Sequence, residues 1–141
     1  MLDSRLSAPW WTLRLAYGLV PIVAGLDKFL NLLTDWRQYL SPAINALLPI
    51  SPGAFMQIVG IVEILAGILV LSRLTRVGAY VVAAWLVLIA VNLLTTMRFF
   101  DVAVRDLVMA LGAYALARMT EVREAEGTSV ARVGVPATAT T

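Results

Sequence analysis

At 141 residues, 60% hydrophobic and 14% charged, with a mean hydropathy of +0.85, the chain carries more apolar surface than a soluble core could hide. A soluble domain carries about 25% charge, so a bilayer is the expected solvent. The net charge of +2 comes from arginines scattered at segment ends, which does not describe a nucleic-acid face. There is no cysteine and no histidine. That excludes disulfides, thiol relays, Cys or His zinc sites, ordinary haem ligation and iron–sulfur clusters, and no metal site is expected. Any electron the protein handles must sit on a bound organic molecule or on a partner.

Residues 1–9 read as a short cytoplasmic lead. Ser7-Ala8-Pro9 can cap and start a helix, and Trp10-Trp11 follow as an interfacial aromatic pair. The first apolar segment spans 10–33, about 36 Å of helix at ~1.5 Å per residue, enough to cross a core of ~30 Å. Gly18, Pro21, Gly25 and Lys28 share one stripe, and small residues allow close helix approach, so Lys28 is expected to face protein. Lys28 is the only lysine beside ten arginines. Asp27 and Asn31 lie on the neighbouring stripe.

Residues 34–52 read as interfacial, with Trp36 and Tyr39 as belt residues. Ser41-Pro42 starts a short helix at about 42–48 that Pro49 ends. It lies flat on the membrane, covers the polar groups as a lid, or is a plain linker. The second span is about 53–72, where Met56, Gly60, Glu63 and Gly67 share a stripe and Glu63 is the deepest carboxyl. The third is about 76–97, where Gly78, Trp85 and Asn92 share a face and Trp85 reads as core. The fourth is about 101–119. Leu107 to Met119 alone makes only about 20 Å of helix, so the turn with Arg105 and Asp106 must belong to it. Asp106, Ala110, Ala113 and Ala117 form a stripe expected to pack inward. Residues 120–141 lack hydrophobic periodicity and read as a disordered cytoplasmic tail.

The expected fold is all-α: an integral membrane four-helix bundle, up-down-up-down. Arg5, Arg14, Arg73, Arg76, Arg118, Arg123 and Arg132 fall on one side of that topology. Lys28, Arg37, Arg98 and Arg105 fall on the other, and this asymmetry places both termini in the cytoplasm. The outward halves then bring together Asp27, Lys28 and Asn31, Gln57 and Glu63, Asn92 with Thr95 and Thr96, and Arg105 and Asp106. Buried charges must be paired or change protonation. The cluster is therefore a structural network joining the helices, a proton relay, or a grip on a polar head group. Arg105 and Asp106 also fit snorkelling interfacial residues, and Asn92 fits a helix–helix hydrogen bond.

The stretches AGLDKFLNLL at 24–33, VGIVEILAGILVLSRLTRVGAY at 59–80 and RDLVMALGAYALAR at 105–118 resemble the DoxX family of small bacterial membrane proteins. The matching pattern is Ala24, Gly25 and Lys28, then Gly60, Glu63 and Gly67, then Arg73 or Arg76. The resemblance covers about 10–119. It implies a four-helix bundle in the bacterial inner membrane. It also implies similarity to a subunit of thiosulfate:quinone oxidoreductase and to membrane partners of enzymes handling thiols and oxygen radicals. It supports Lys28 and Glu63 most directly. Without cysteine or histidine, self-contained sulfur chemistry is not expected, so the chain reads as a non-catalytic subunit, with quinone the one cofactor in view. Three functions remain open: a membrane subunit that docks an oxidoreductase and couples it to the quinone pool, a binding or transport protein for a small lipidic or polar molecule, and a structural accessory subunit. The partners in view are the lipid bilayer, an oxidoreductase or a further copy of the chain.

Overall fold

The structure is a computed structural model that describes residues 4–134. Among these residues it is all-helical, with no strand. Helix α1 spans Ser4–Leu30, followed by a 3-10 turn at Trp36–Tyr39 and the short α2 at Pro42–Leu47. Helices α3, α4 and α5 span Pro52–Leu71, Thr75–Thr95 and Phe100–Val133.

Local chemistry explains most of these boundaries. Ser51 Oγ accepts from Ala54 N–H at 3.2 Å and Pro52 takes the first helical position, so α3 starts on a capped turn. Asn31 adopts a left-handed conformation (φ 51°) and donates its N–H to Asp27 O at 2.6 Å, which ends α1 three residues before the expected position. At its other end α1 starts at Ser4, ahead of the expected Pro9 start, and Pro9 lies inside it.

The largest departure from the sequence reading is at the end of α5. Residues 120–133 were expected to be a disordered tail, and instead they continue the helix. They are held from outside the segment. Trp10 Nε1 donates to the buried Thr120 hydroxyl at 2.9 Å, Tyr80 OH donates to Glu121 at 2.7 Å, and Arg76 pairs with Glu124 at 3.0 Å. Residues 135–141 of the expected tail, and 1–3 of the lead, lie outside the described residues.

The helices form two closely packed pairs, α1 with α3 and α4 with α5, and the pairs meet each other less extensively. Within the first pair Gly25 lies against Gly60 and Gly18 against Gly67, so the helices run antiparallel. In the second, Tyr80 meets Glu121 while Leu93 packs with Ala103, again antiparallel. Trp10 to Thr120 and Tyr17 to Met109 set α1 antiparallel to α5. The main core gathers Trp10, Val70, Val82, Ala113 and Leu116. Large apolar side chains such as Leu65, Leu88 and Leu111 face outward. Helices α3 and α4 are long and apolar enough to cross a membrane. Helices α1 and α5 have the length, but Arg14, Asp27 and Lys28, and Arg105 and Asp106, interrupt their apolar runs.

Candidate functional site: a buried ion pair in an apolar cavity

Lys28 of α1 and Glu63 of α3 meet inside the protein, Nζ to Oε2 at 2.5 Å, with both residues buried. The glycine stripes make this contact possible. A Cβ built on Gly60 would lie 2.6 Å from Gly25 O and 3.1 Å from Lys28 Cβ. With no side chain at 25 or 60, the backbones touch one turn from the charges. Lys28 can then reach Glu63 without leaving its helix face.

The connection after α1 closes over the ammonium. The Trp36 ring centroid lies 3.7 Å from Lys28 Nζ, a cation–π contact. Asp27 holds Trp36 there: its Oδ2 accepts from Trp36 Nε1 at 2.7 Å, and its carboxylate also accepts the N–H groups of Leu32 and Leu33. Asp27 thus organises the turn instead of entering the cavity. Within the 3-10 turn, Asp35 accepts from the guanidinium and backbone N–H of Arg37. Those bonds hold the Asp35 carboxyl below its usual range.

From α4, Asn92 Oδ1 accepts from Ser41 N–H at 3.1 Å and its Nδ2 donates to Tyr39 O at 2.7 Å. The expected helix–helix bond is replaced by a tether on the connection, which draws Leu40 and Ser41 into buried positions. The segment around 36–44 therefore covers the polar end, with Trp36, Tyr39 and Ile44 lining the space beneath. Thr95 and Thr96 donate to backbone carbonyls of their own helix, Asn92 O and Leu93 O. Gln57 and Asn31 are exposed, so neither joins the cluster.

Asp106 of α5 is buried, as its stripe predicts, and Ala110, Ala113 and Ala117 are buried with it. Arg105 lies 3.6 Å from Asp106, and its side chain is 65% exposed. Adjacent residues on a helix do not face each other, which explains the long pair distance. Arg105 sits at the rim and Asp106 within.

A cavity of about 930 Å³ lies between the two helix pairs. Lys28, Glu63, Trp85 and Asp106 are on its wall, and most of the remaining lining is apolar. Sequence reasoning placed Trp85 in the core, whereas it faces this space. Its indole Nε1 is buried and has no hydrogen-bond partner. It stands close enough to the Glu63 carboxylate for a loose polar contact, but outside good hydrogen-bond geometry. Among the described residues no cluster of three acidic side chains is placed to hold a metal ion.

Two further polar residues were missed as structural anchors. Arg14 donates to Val70 O, Leu71 O and Ser72 O, capping the end of α3, where a cation also complements the helix dipole. Tyr17 OH donates to Met109 O at 2.7 Å and ties α1 to α5. The sequence signal was present for Arg14, a charge inside an apolar run, but it was read only as a marker of orientation.

Fold and site together define a small helical membrane protein with a polar centre between its helix pairs. Residues 10–96 match the DoxX family profile, and the chain belongs to the DoxX family. The match contains Lys28, Glu63, Trp85 and Asn92, and stops before Arg105 and Asp106. No curated protein and no solved structure gives a significant match.

Proposed function

We propose that this DoxX-family protein is a non-catalytic membrane subunit that docks an oxidoreductase and couples it to the quinone pool. In this reading α1, α3, α4 and α5 cross the bacterial inner membrane up, down, up and down, with both termini in the cytoplasm. The antiparallel helix contacts support that topology, as does the excess of arginine at the end carrying the termini. The cavity would hold the quinone, and the partner would carry the redox centres that a chain without cysteine or histidine does not supply.

The observation that carries the reading is the amphipathic cavity itself. Ionisable groups inside a membrane protein are costly and default to functional sites. Here they stand at one end of an apolar space of ligand size. The test is purification of the native assembly in mild detergent, with identification of co-purifying proteins and extraction of bound quinone. An oxidoreductase and quinone together support the reading. A bound lipidic molecule without an oxidoreductase favours the second reading, a binding or transport protein, which the same cavity also fits. Neither a partner enzyme nor a ligand would leave a structural accessory subunit or a homo-oligomer.

A further inference from the structure

The charged groups on the cavity wall cancel. They are Lys28, Glu63, Arg105 and Asp106. Each stands beside a group of opposite sign, at 2.5 Å for the first pair and 3.6 Å for the second. A charged head group entering the buried end of this space, where Lys28 and Glu63 are already paired, would lose its hydration and find no surplus counter-charge. A neutral head group meets no such penalty.

The buried part of the wall offers one side-chain donor that closes no hydrogen bond. Among the described residues, Ser41 Oγ and Trp85 Nε1 are the buried side-chain polar atoms without a partner, and of these two residues Trp85 lines the cavity. An indole N–H can only donate. A buried donor left unpaired is unfavourable, and native proteins rarely keep one without a reason. Its complement is an oxygen that accepts. Val20, Val59, Leu86 and Ile89 of the same lining offer apolar wall to the rest of a ligand. The volume of about 930 Å³ falls within the ~300–1,000 Å³ typical of small-molecule sites.

We infer that Trp85 is the specificity-determining donor of this cavity, selecting an apolar molecule with a neutral, carbonyl-type head group over charged amphiphiles of the same length. The inference rests on the reading of the cavity as a ligand site, and deepens it by naming the head-group chemistry and the residue that reads it.

The test uses the full chain in phosphatidylcholine nanodiscs, with protein-free nanodiscs as the reference for partitioning. Decylubiquinone is the neutral probe; decylamine and decanoate are the charged ones. Saturable binding is expected for decylubiquinone alone. Trp85→Phe should weaken it about tenfold, the loss of one hydrogen bond to a desolvated oxygen. Benzothienylalanine at position 85 keeps the ring shape and removes only the N–H, so it should weaken binding to the same extent even if the phenylalanine variant folds poorly. The thermal midpoint without probe should hold, and a fall in the benzothienylalanine variant would show that the N–H is already bonded to Glu63 and overturn the inference. Undiminished affinity with benzothienylalanine overturns the inference. So does charged-probe binding as tight as that of the quinone, or the absence of saturable quinone binding. Co-purification is scored separately. An oxidoreductase partner without Trp85-dependent binding removes this inference and leaves the subunit reading, and the converse result removes the subunit reading alone.

Discussion

Lys28 and Glu63 are joined at 2.5 Å with both side chains buried, and the join depends on Gly25 and Gly60 one turn away. Removing one member of such a pair leaves a buried charge without compensation, which costs about 3–5 kcal/mol. Lys28→Met and Glu63→Gln should each lower the thermal midpoint in detergent. The double variant should recover part of the loss, because it removes both charges together. A double-mutant cycle measures the coupling, and strict additivity would show that the contact contributes nothing beyond its separate parts.

The glycine contact makes its own prediction. A Cβ on Gly60 would strike Gly25 O and crowd Lys28 Cβ, so Gly60→Ala must push α1 away from α3. Gly60→Leu should do so more severely. Ala110→Leu overfills the α5 stripe, where Ala110 is 6% exposed. Overpacking costs about 1–3 kcal/mol, and melting in detergent reads it. If all three melted like the parent, the assignment of these faces to the interior would be wrong.

The inward faces were legible because small residues recur at the helical period. Met56, Gly60, Glu63 and Gly67 are all buried, as are Asp106, Ala110, Ala113 and Ala117. What was not legible depends on contacts distant in sequence. The extension of α5 past Met119 has no apolar period of its own, and its support comes from Trp10, Arg76 and Tyr80. Asn92 was assigned to a neighbouring helix, but its partners are backbone groups at 39 and 41. The unpaired indole of Trp85 is a property of its surroundings, which no spacing rule encodes. Asn31 looked like part of the cluster because it follows Asp27 by four on the same stripe, yet its left-handed conformation ends the helix and turns it outward.

The cover over the ion pair should loosen when its anchor is removed. Asp27 accepts two backbone N–H groups and the Trp36 indole. Asp27→Asn keeps the size but replaces one accepting oxygen with a donor and removes the charge that strengthens the remaining bonds. Hydrogen exchange should rise across residues 31–40 while the middles of α3 and α4 stay protected. Asn92→Ala should produce the same local signature by releasing Tyr39 and Ser41. Exchange unchanged in both variants would mean that the segment is held by its apolar contacts alone.

Topology is the last expectation, and the absence of cysteine makes it simple to measure. A single introduced thiol is then the only one in the chain. Ser129 lies on the exposed end of α5, and Gln38 on the exposed 3-10 turn at the opposite end of the bundle. Ser129→Cys should react with a membrane-impermeant maleimide only after the cytoplasmic face is opened, whereas Gln38→Cys should react from the outside of sealed cells or right-side-out vesicles. The physical basis is the seven basic residues at the end with the termini against four at the other, a bias that holds positive loops on the cytoplasmic side. Arg123 and Arg132, two of those seven, lie on the α5 extension, in a helix of 34 residues, about 51 Å, longer than a ~30 Å hydrocarbon core. Reversed labelling of the pair would invert the protein in the membrane. It would place Arg105 and the covering segment toward the cytoplasm, so that a partner approaching the cavity mouth would have to be a cytoplasmic one.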